Sequence, residues 1–357
     1  MRKPIFLLSI LTSLLVLLWA CAPDTPVETP QEPTPEIQTL TVMTHDSFDV
    51  TEEIVRLFES ENNAEVTFLK AGDTGTALTR AILAKDAPLA DVFYGVDNTF
   101  LSRALDEDIF EPYIPALLAE IPDEFKIDPQ NRVSPVDFGD VCPNYDKTYF
   151  ESIGLEPPQT LEDLLEPEYR SMLVVQNPAT SSPGLAFLFA TIGHFGEQGF
   201  IEYWQGLVEN DVLVVSNWET AYYSEFSRWG GTRPIVISYG SSPPFEVLFA
   251  EEEIDEPPTG VITSEGACFR QIEFVGILRG TQNRDLAEKW IDFMLSPTFQ
   301  EDLPLRMYVF PVHPNAQLED VFLRYLAIPE QPIYLSIEEI AANRESWVQA
   351  WTETVLR

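Results

Sequence analysis

Five short stretches carry side chains that could hold a small molecule without covalent chemistry. They are Thr44-His45-Asp46-Ser47-Phe48, Gly95-Val96-Asp97-Asn98-Thr99, Asn177 through Gly184, Ser216-Asn217-Trp218 with Tyr222, and Tyr239-Gly240-Ser241 with Phe245. Asp46 and Asp97 offer carboxylates, Asn98 an amide, and Trp218 and Tyr239 aromatic faces. Ser181 or Ser182 stands before Pro183, which reads as a helix start whose free N–H groups suit an anion or a hydroxyl. Each residue also has a purely structural role open to it. Asp46 and Asp97 can cap the helices that follow, Trp218 and Tyr239 can be core, and His45 can be a satisfied hydrogen-bonding group. His194 and His313 show no metal-ligand spacing with His45, so no metal site is expected.

What joins the five stretches is their position after strands. Leu40 to Met43 reads as a strand, and Asp49 with Glu52 as a capping-box start for a helix burying Ile54, Leu57 and Phe58. A strand from Ala64 to Leu69, a helix through Leu78, Ile82 and Leu83, and a strand from Val92 to Val96 complete a β-α-β-α-β unit with a mostly parallel sheet. A second α/β region follows: strand Met172 to Val175, a helix from Pro183, a helix Glu197 to Val208, strand Val212 to Val215, a helix Thr220 to Arg228 and strand Ile235 to Ser238. Another strand runs from Phe274 to Leu278, then a helix through Leu286, Trp290 and Phe293, and a final amphipathic helix begins at about Ile337. Ligands of such sheets sit in the crevice beyond the carboxyl ends of the strands, which is where the five stretches fall.

Composition restricts the partner. Lys and Arg number 21 against 58 Asp and Glu, a formal charge of -37 that repels phosphate backbones and excludes nucleic acid as a partner. At 357 residues and 45% hydrophobic, the chain has core for about two domains.

The N-terminus reads as an export signal. Arg2 and Lys3 precede the apolar run Ile5 to Leu18, and Leu18-Trp19-Ala20-Cys21 resembles the lipobox of bacterial lipoproteins, with Trp19 in place of the usual small residue. Residues 1–20 are expected to be the signal peptide, Cys21 to carry lipid, and the Pro-rich stretch 21–38 to be an extended tether; an unlipidated signal is the alternative. No later segment approaches the roughly 20 apolar residues of a transmembrane helix. Of the remaining cysteines, Cys142 and Cys268 fit a disulfide in an oxidising compartment, and the competing role is a catalytic thiol.

The strings Thr44 to Phe48, Asp97-Asn98, Thr180 to Leu185, Trp218 with Tyr222, Ser238-Tyr239 with Ser242-Pro243, Ser296 to Gln300, Pro311-Val312 and Ile340 to Trp347 resemble the thiamine-binding periplasmic proteins of ABC transporters. The resemblance covers nearly all of residues 39–357. It implies a two-lobed, α/β, type II periplasmic-binding fold, each lobe a mixed, mostly parallel sheet flanked by helices. Residues 39–138 with 268–357 would form lobe 1 and 139–267 lobe 2, with crossings near Asp137-Phe138-Gly139 and Ser264-Glu265-Gly266 and the two cysteines just beyond them. It implies a non-enzymatic solute-binding protein that closes by hinge motion on thiamine or a thiamine phosphate and delivers it to a permease, without a cofactor; with the N-terminal signal the protein is expected to be exported and membrane-anchored, and a monomer is the default expectation.

The residues matching the family's ligand positions are His45, Asp46, Asp97, Asn98, Ser181, Trp218, Tyr222, Tyr239, Phe245 and Tyr308. Aromatic faces and a carboxylate suit thiamine's flat aminopyrimidine and permanently positive thiazolium. This sequence departs from the family at three of them. His45 and Phe245 replace Tyr, Tyr308 replaces Trp, and a Trp-containing loop after the first strand is shortened, so a related cationic heteroaromatic also enters the expectation. Two alternatives share the fold. Ferric iron could use His45, Asp46, Tyr222, Tyr223 and Tyr239, although neighbouring Tyr222 and Tyr223 diverge on a helix. A thiamine-cleaving enzyme could use Cys142 with Asp137, Asp140 or Glu265.

Overall fold

In the computed structural model, residues 37–250, 252–329 and 331–357 are described. The expected signal peptide, Cys21 and nearly all of the tether therefore lie outside the described residues. Strand β1 (Gln38–Thr44) begins inside the stretch read as tether, so the ordered fold starts slightly earlier than expected.

The N-terminal half alternates as its sequence period requires: β1, α1 (Glu52–Asn62), β2 (Ala64–Lys70), α2 (Thr74–Leu83), β3 (Val92–Asp97), α3 (Leu101–Asp106) and β4 (Phe110–Glu111). Helix α1 starts from Thr51, not Asp49: the Thr51 amide and hydroxyl both donate to Asp302, at 2.8 and 2.6 Å. Phe58 is buried as expected, whereas Leu57 faces out.

A 13-residue strand, β5 (Ser134–Asp146), then leads through α4 (Lys147–Ile153) into β6 (Leu173–Gln176), α5 (Ser182–Glu209), β7 (Leu213–Val215), β8 (Ile235–Tyr239), α6 (Ser242–Leu248) and β9 (Thr259–Val261). The two helices expected here are one element, α5, broken at Gly196, whose φ of 73° is a left-handed value that glycine adopts without a Cβ penalty. The helix expected over Thr220 to Arg228 is instead a π-turn, Thr220–Glu225, followed by a 3₁₀ turn at Ser227–Trp229. The chain ends with β10 (Phe269–Leu278), α7 (Arg284–Met294), α8 (Pro297–Arg306), β11 (Phe310–Pro311), α9 (Asp320–Tyr325) and α10 (Ile337–Val355).

The sheet runs β2-β1-β3-β10-β5-β8-β6-β7. β2, β1 and β3 are mutually parallel on one side, β8, β6 and β7 on the other, and β10 and β5 lie antiparallel between them. This is the expected mixed α/β architecture, and it directs the carboxyl ends of both parallel sets toward the centre. In the register of the central pair, Asp137, Phe138 and Gly139 face Glu273, Ile272 and Gln271. Ser264-Glu265-Gly266, expected to cross there, form the turn preceding β10. Cys142 and Cys268 are wholly buried on these two strands' margins, their Cα atoms 4.4 Å apart and their sulfurs within bonding distance.

Residues Ile37–Arg357 pack as one unit. One core joins α5 and α10 beneath the sheet, where Trp204 and Trp351 meet edge to face with ring centres 5.5 Å apart; Trp347 and Trp351 of the last helix are buried there, as expected. A second gathers Phe58, Trp290 and Phe299 around β1 and β3. Full burial of each such side chain contributes roughly 1.5–3 kcal/mol.

Candidate functional site

At the centre, where the strand ends meet, lies a cavity of about 420 Å³. One wall is aromatic. The π-turn after β7 turns Tyr222 inward and leaves Tyr223 half-exposed. Trp218 stacks on Tyr222 at 5.0 Å and meets Tyr308 and Tyr223 edge-on at 5.2 and 5.5 Å. Its indole N–H donates to Ser238 Oγ at 3.1 Å, fixing the ring plane. Tyr308 is backed by Phe245, with ring centres 4.3 Å apart and planes within 16°. Tyr239 closes the end of this wall, its hydroxyl 3.5 Å from Gln271 Oε1.

The opposite wall and floor are acidic. Asp46, Asp49, Asp73 and Glu273 line them, with Lys70 and Arg306 as the cations among them and Arg306 paired with Asp49, while Glu219 lines the cavity next to Trp218. Asp46 accepts from the Gly72 amide at 2.8 Å, tying the loop after β1 to the entry of α2. Beneath the floor, the Tyr94 hydroxyl donates to Asp137 at 2.6 Å and lies 3.3 Å from Glu273. Burial raises the Glu273 carboxyl to about 8 and holds Asp137 well above the usual carboxylate range, with their mutual repulsion adding to Asp137. Burial likewise raises Asp73. His45 Nε2 lies 3.4 Å from Glu273, yet desolvation outweighs the surrounding acids and lowers its pKa, so the imidazole is neutral at pH 7.

Of the side chains singled out from sequence, His45, Asp46, Trp218, Tyr239 and Tyr308 line the cavity. The others stand behind it for identifiable reasons. Asp97 is fully buried and accepts from Thr99 N at 2.8 Å and Phe100 N at 3.3 Å, which holds the turn between β3 and α3 rather than capping the helix. Asn98 bridges strands, donating to Arg270 O at 2.9 Å and accepting from Ile272 N at 3.1 Å, so its amide is spent within the sheet. Ser181 is the N-cap residue of α5, and its neighbour Ser182 is the one on the lining. Tyr222 turns its hydroxyl to Glu246 at 2.6 Å, and Phe245 supports Tyr308 from behind.

Sequence reasoning missed Asp73, Gln271 and Glu273, and named Tyr223 only as a ligand in the ferric alternative. Asp73 looks like an ordinary helix cap, which it also is: it accepts from Thr74 N at 2.9 Å. Glu273 carried a readable signal, a lone acid at the start of the apolar run Phe274 to Leu278. Among the described residues, no group of three or more His, Cys, Asp or Glu is arranged to hold a metal ion. Cys142 is buried beside Cys268 and is not on the cavity lining.

Residues 87–325 match the family model for bacterial extracellular solute-binding protein. The chain belongs to this family. It is 29% identical over 323 residues to the thiamine-binding periplasmic protein of Escherichia coli K12, covering 89% of this chain and 94% of that one. Among solved structures it is similar to a periplasmic thiamin binding protein, at TM-score 0.79 and 26% identity over 90% of this chain and 97% of that one. The ferric binding protein from Campylobacter jejuni shares the fold at TM-score 0.71 and 18% identity, covering 88% of this chain and 99% of that one. The resemblance read from the sequence and the fold it implied both hold.

Proposed function

We propose that this member of the family is the solute receptor of an ABC importer and that its solute is thiamine or a thiamine phosphate. The observation that carries the reading is the cavity's two-sided chemistry. Trp218, Tyr223, Tyr239 and Tyr308 form a wall for a flat ring, and the carboxyl groups of Asp46 and Asp73 line the same cavity, with Glu273 as a protonated hydrogen-bonding group at neutral pH. A permanently cationic heteroaromatic gains from both sides, by stacking and by cation–π and charge attraction. The names of the relatives point to the same solute. His45, Asp46, Trp218, Tyr239 and Tyr308 are the proposed contacts from the original set, joined by Asp73, Tyr223, Gln271 and Glu273.

In this reading residues 39–138 with 268–357 form one lobe and 139–267 the other, hinged at β5 and β10. Cys21 anchors the exported protein by lipid, Cys142 and Cys268 are bridged, the protein is a monomer without enzymatic turnover, and the closed form docks on a permease. Isothermal titration with thiamine, thiamine monophosphate and thiamine diphosphate tests the solute. Binding of at least one at micromolar affinity or tighter is expected, and three flat titrations would reject the assignment.

A further inference from the structure

Two backbone amides are satisfied between α2 and the segments after β6 and β7, beside the cavity. The Trp218 amide, after β7, donates to Asp73 Oδ2 at 3.2 Å, at the start of α2. The Gly75 amide, in the first turn of α2, donates to Thr180 O at 3.1 Å, just before α5. Helix α2 connects β2 to β3, on one side of the central strand pair; Thr180 and Trp218 follow β6 and β7, on the other. These contacts therefore join the halves that a hinge at β5 and β10 would separate. The approach is tight. A Cβ built on Gly75 would lie 2.9 Å from both Ala179 O and Thr180 O, and 2.8 Å from Phe100 Cζ, distances real side chains do not occupy.

We infer that Asp73 and Gly75 form the closure latch of this protein, made when the halves come together and broken when they part. The inference rests on the hinge-closing reading above and adds to it the residues that hold the closed state. Asp73 does three jobs with one carboxylate: Oδ1 caps α2 through Thr74 N, Oδ2 holds Trp218 N, and the group lines the cavity. Because Trp218 is the central plate of the aromatic wall, the latch sets that plate's position relative to the acidic wall. A solute between the walls is then enclosed by the same contact that completes its site. Gly75 acts by leaving room: its missing side chain lets the α2 backbone reach Thr180. Thr180 is itself fixed on its own side, donating from Oγ1 to Ser216 O at 2.7 Å.

The test uses Asp73→Ser and Gly75→Ala. Serine is as good a helix cap as aspartate but too short to reach Trp218 N, so α2 is kept while the bond to Trp218 is lost. Amide hydrogen exchange of Gly75 and Trp218 by NMR reads the latch directly, with and without thiamine. Protection of both amides in the wild-type protein is expected, with loss at Trp218 in the serine variant and at Gly75 in the alanine variant. Solution scattering should show thiamine compacting the wild type and failing to compact either variant. Thiamine dissociation should accelerate about tenfold in Asp73→Ser, the scale of one lost charge-assisted hydrogen bond. Wild-type amides exchanging as fast as those of an open loop under both conditions would overturn the latch, as would unchanged Trp218 protection in Asp73→Ser. If thiamine does not bind but the exchange pattern holds, the solute assignment fails and the latch stands.

Discussion

Replacing Glu273 by Gln should change how stability depends on pH, and the structure gives both sign and scale. The Glu273 carboxyl is buried opposite Asp137 in the central strand pair, and its pKa is raised from 4.5 to about 8. The folded protein therefore holds a proton on Glu273 that the unfolded chain releases above about pH 4.5. Where the native state binds more protons, stability falls as pH rises. The loss begins near pH 4.5 and is complete once pH has passed through about 8. Asp137, Asp73 and Asp97, all raised by burial, contribute with the same sign.

His45 works in the opposite direction. Its folded pKa lies below 6.5, so its contribution is lost as pH falls below the unfolded value. His45 is present in both proteins, so between pH 6.5 and 8 its contribution drops out of their difference. One proton corresponds to at most about 1.4 kcal/mol per pH unit, and Glu273 is half deprotonated by about pH 8, so the wild type should lose about 1.5 kcal/mol more than Glu273→Gln across that window. The assay is urea unfolding at pH 6.5, 7.25 and 8 for both proteins. Equal slopes in the two would refute the argument that Glu273 is a buried proton carrier.

Trp218→Ala should weaken thiamine binding by about 10–30-fold, the scale of losing a desolvated cation–π and stacking partner, as read by calorimetry. Asn98→Leu should cost roughly 2 kcal/mol of stability through the orphaned Arg270 carbonyl and Ile272 amide, while leaving thiamine affinity within about twofold; a large affinity loss with unchanged unfolding would return Asn98 to the site. Replacing both Cys142 and Cys268 by Ala should destabilise the protein by about 2–4 kcal/mol, since a bridge over a separation of 126 residues restricts the unfolded chain strongly. An unchanged denaturation midpoint would contradict a bridge.

The alternating strands and helices of the N-terminal half were legible because their apolar periods switch cleanly between strand and helix spacing. β5 was not. It carries Pro135 and Pro143 and buries Asp137 and Asn144, so neither hydrophobicity nor strand propensity marks it. The sequence therefore showed Asp137-Phe138-Gly139 only as a connection, whereas the chain there is the middle of a long strand paired with β10. The site was partly legible for a related reason. Trp218, Tyr239 and Asp46 stand at strand ends where residue type alone draws attention, whereas Asp97 and Asn98 share that position and are absorbed by a turn and a strand bridge. Asp73 is the converse case, an unremarkable helix cap whose second oxygen reaches Trp218 only because the chain folds α2 against the loop after β7.

Whether the cavity holds a cationic heteroaromatic against its aromatic wall is decided by titrating the protein with thiamine while Trp fluorescence is followed. Saturable quenching at micromolar thiamine or below, greatly reduced in Trp218→Ala, is the predicted result. No heat and no quenching with thiamine or either phosphate ester, in a protein that unfolds cooperatively, would contradict it.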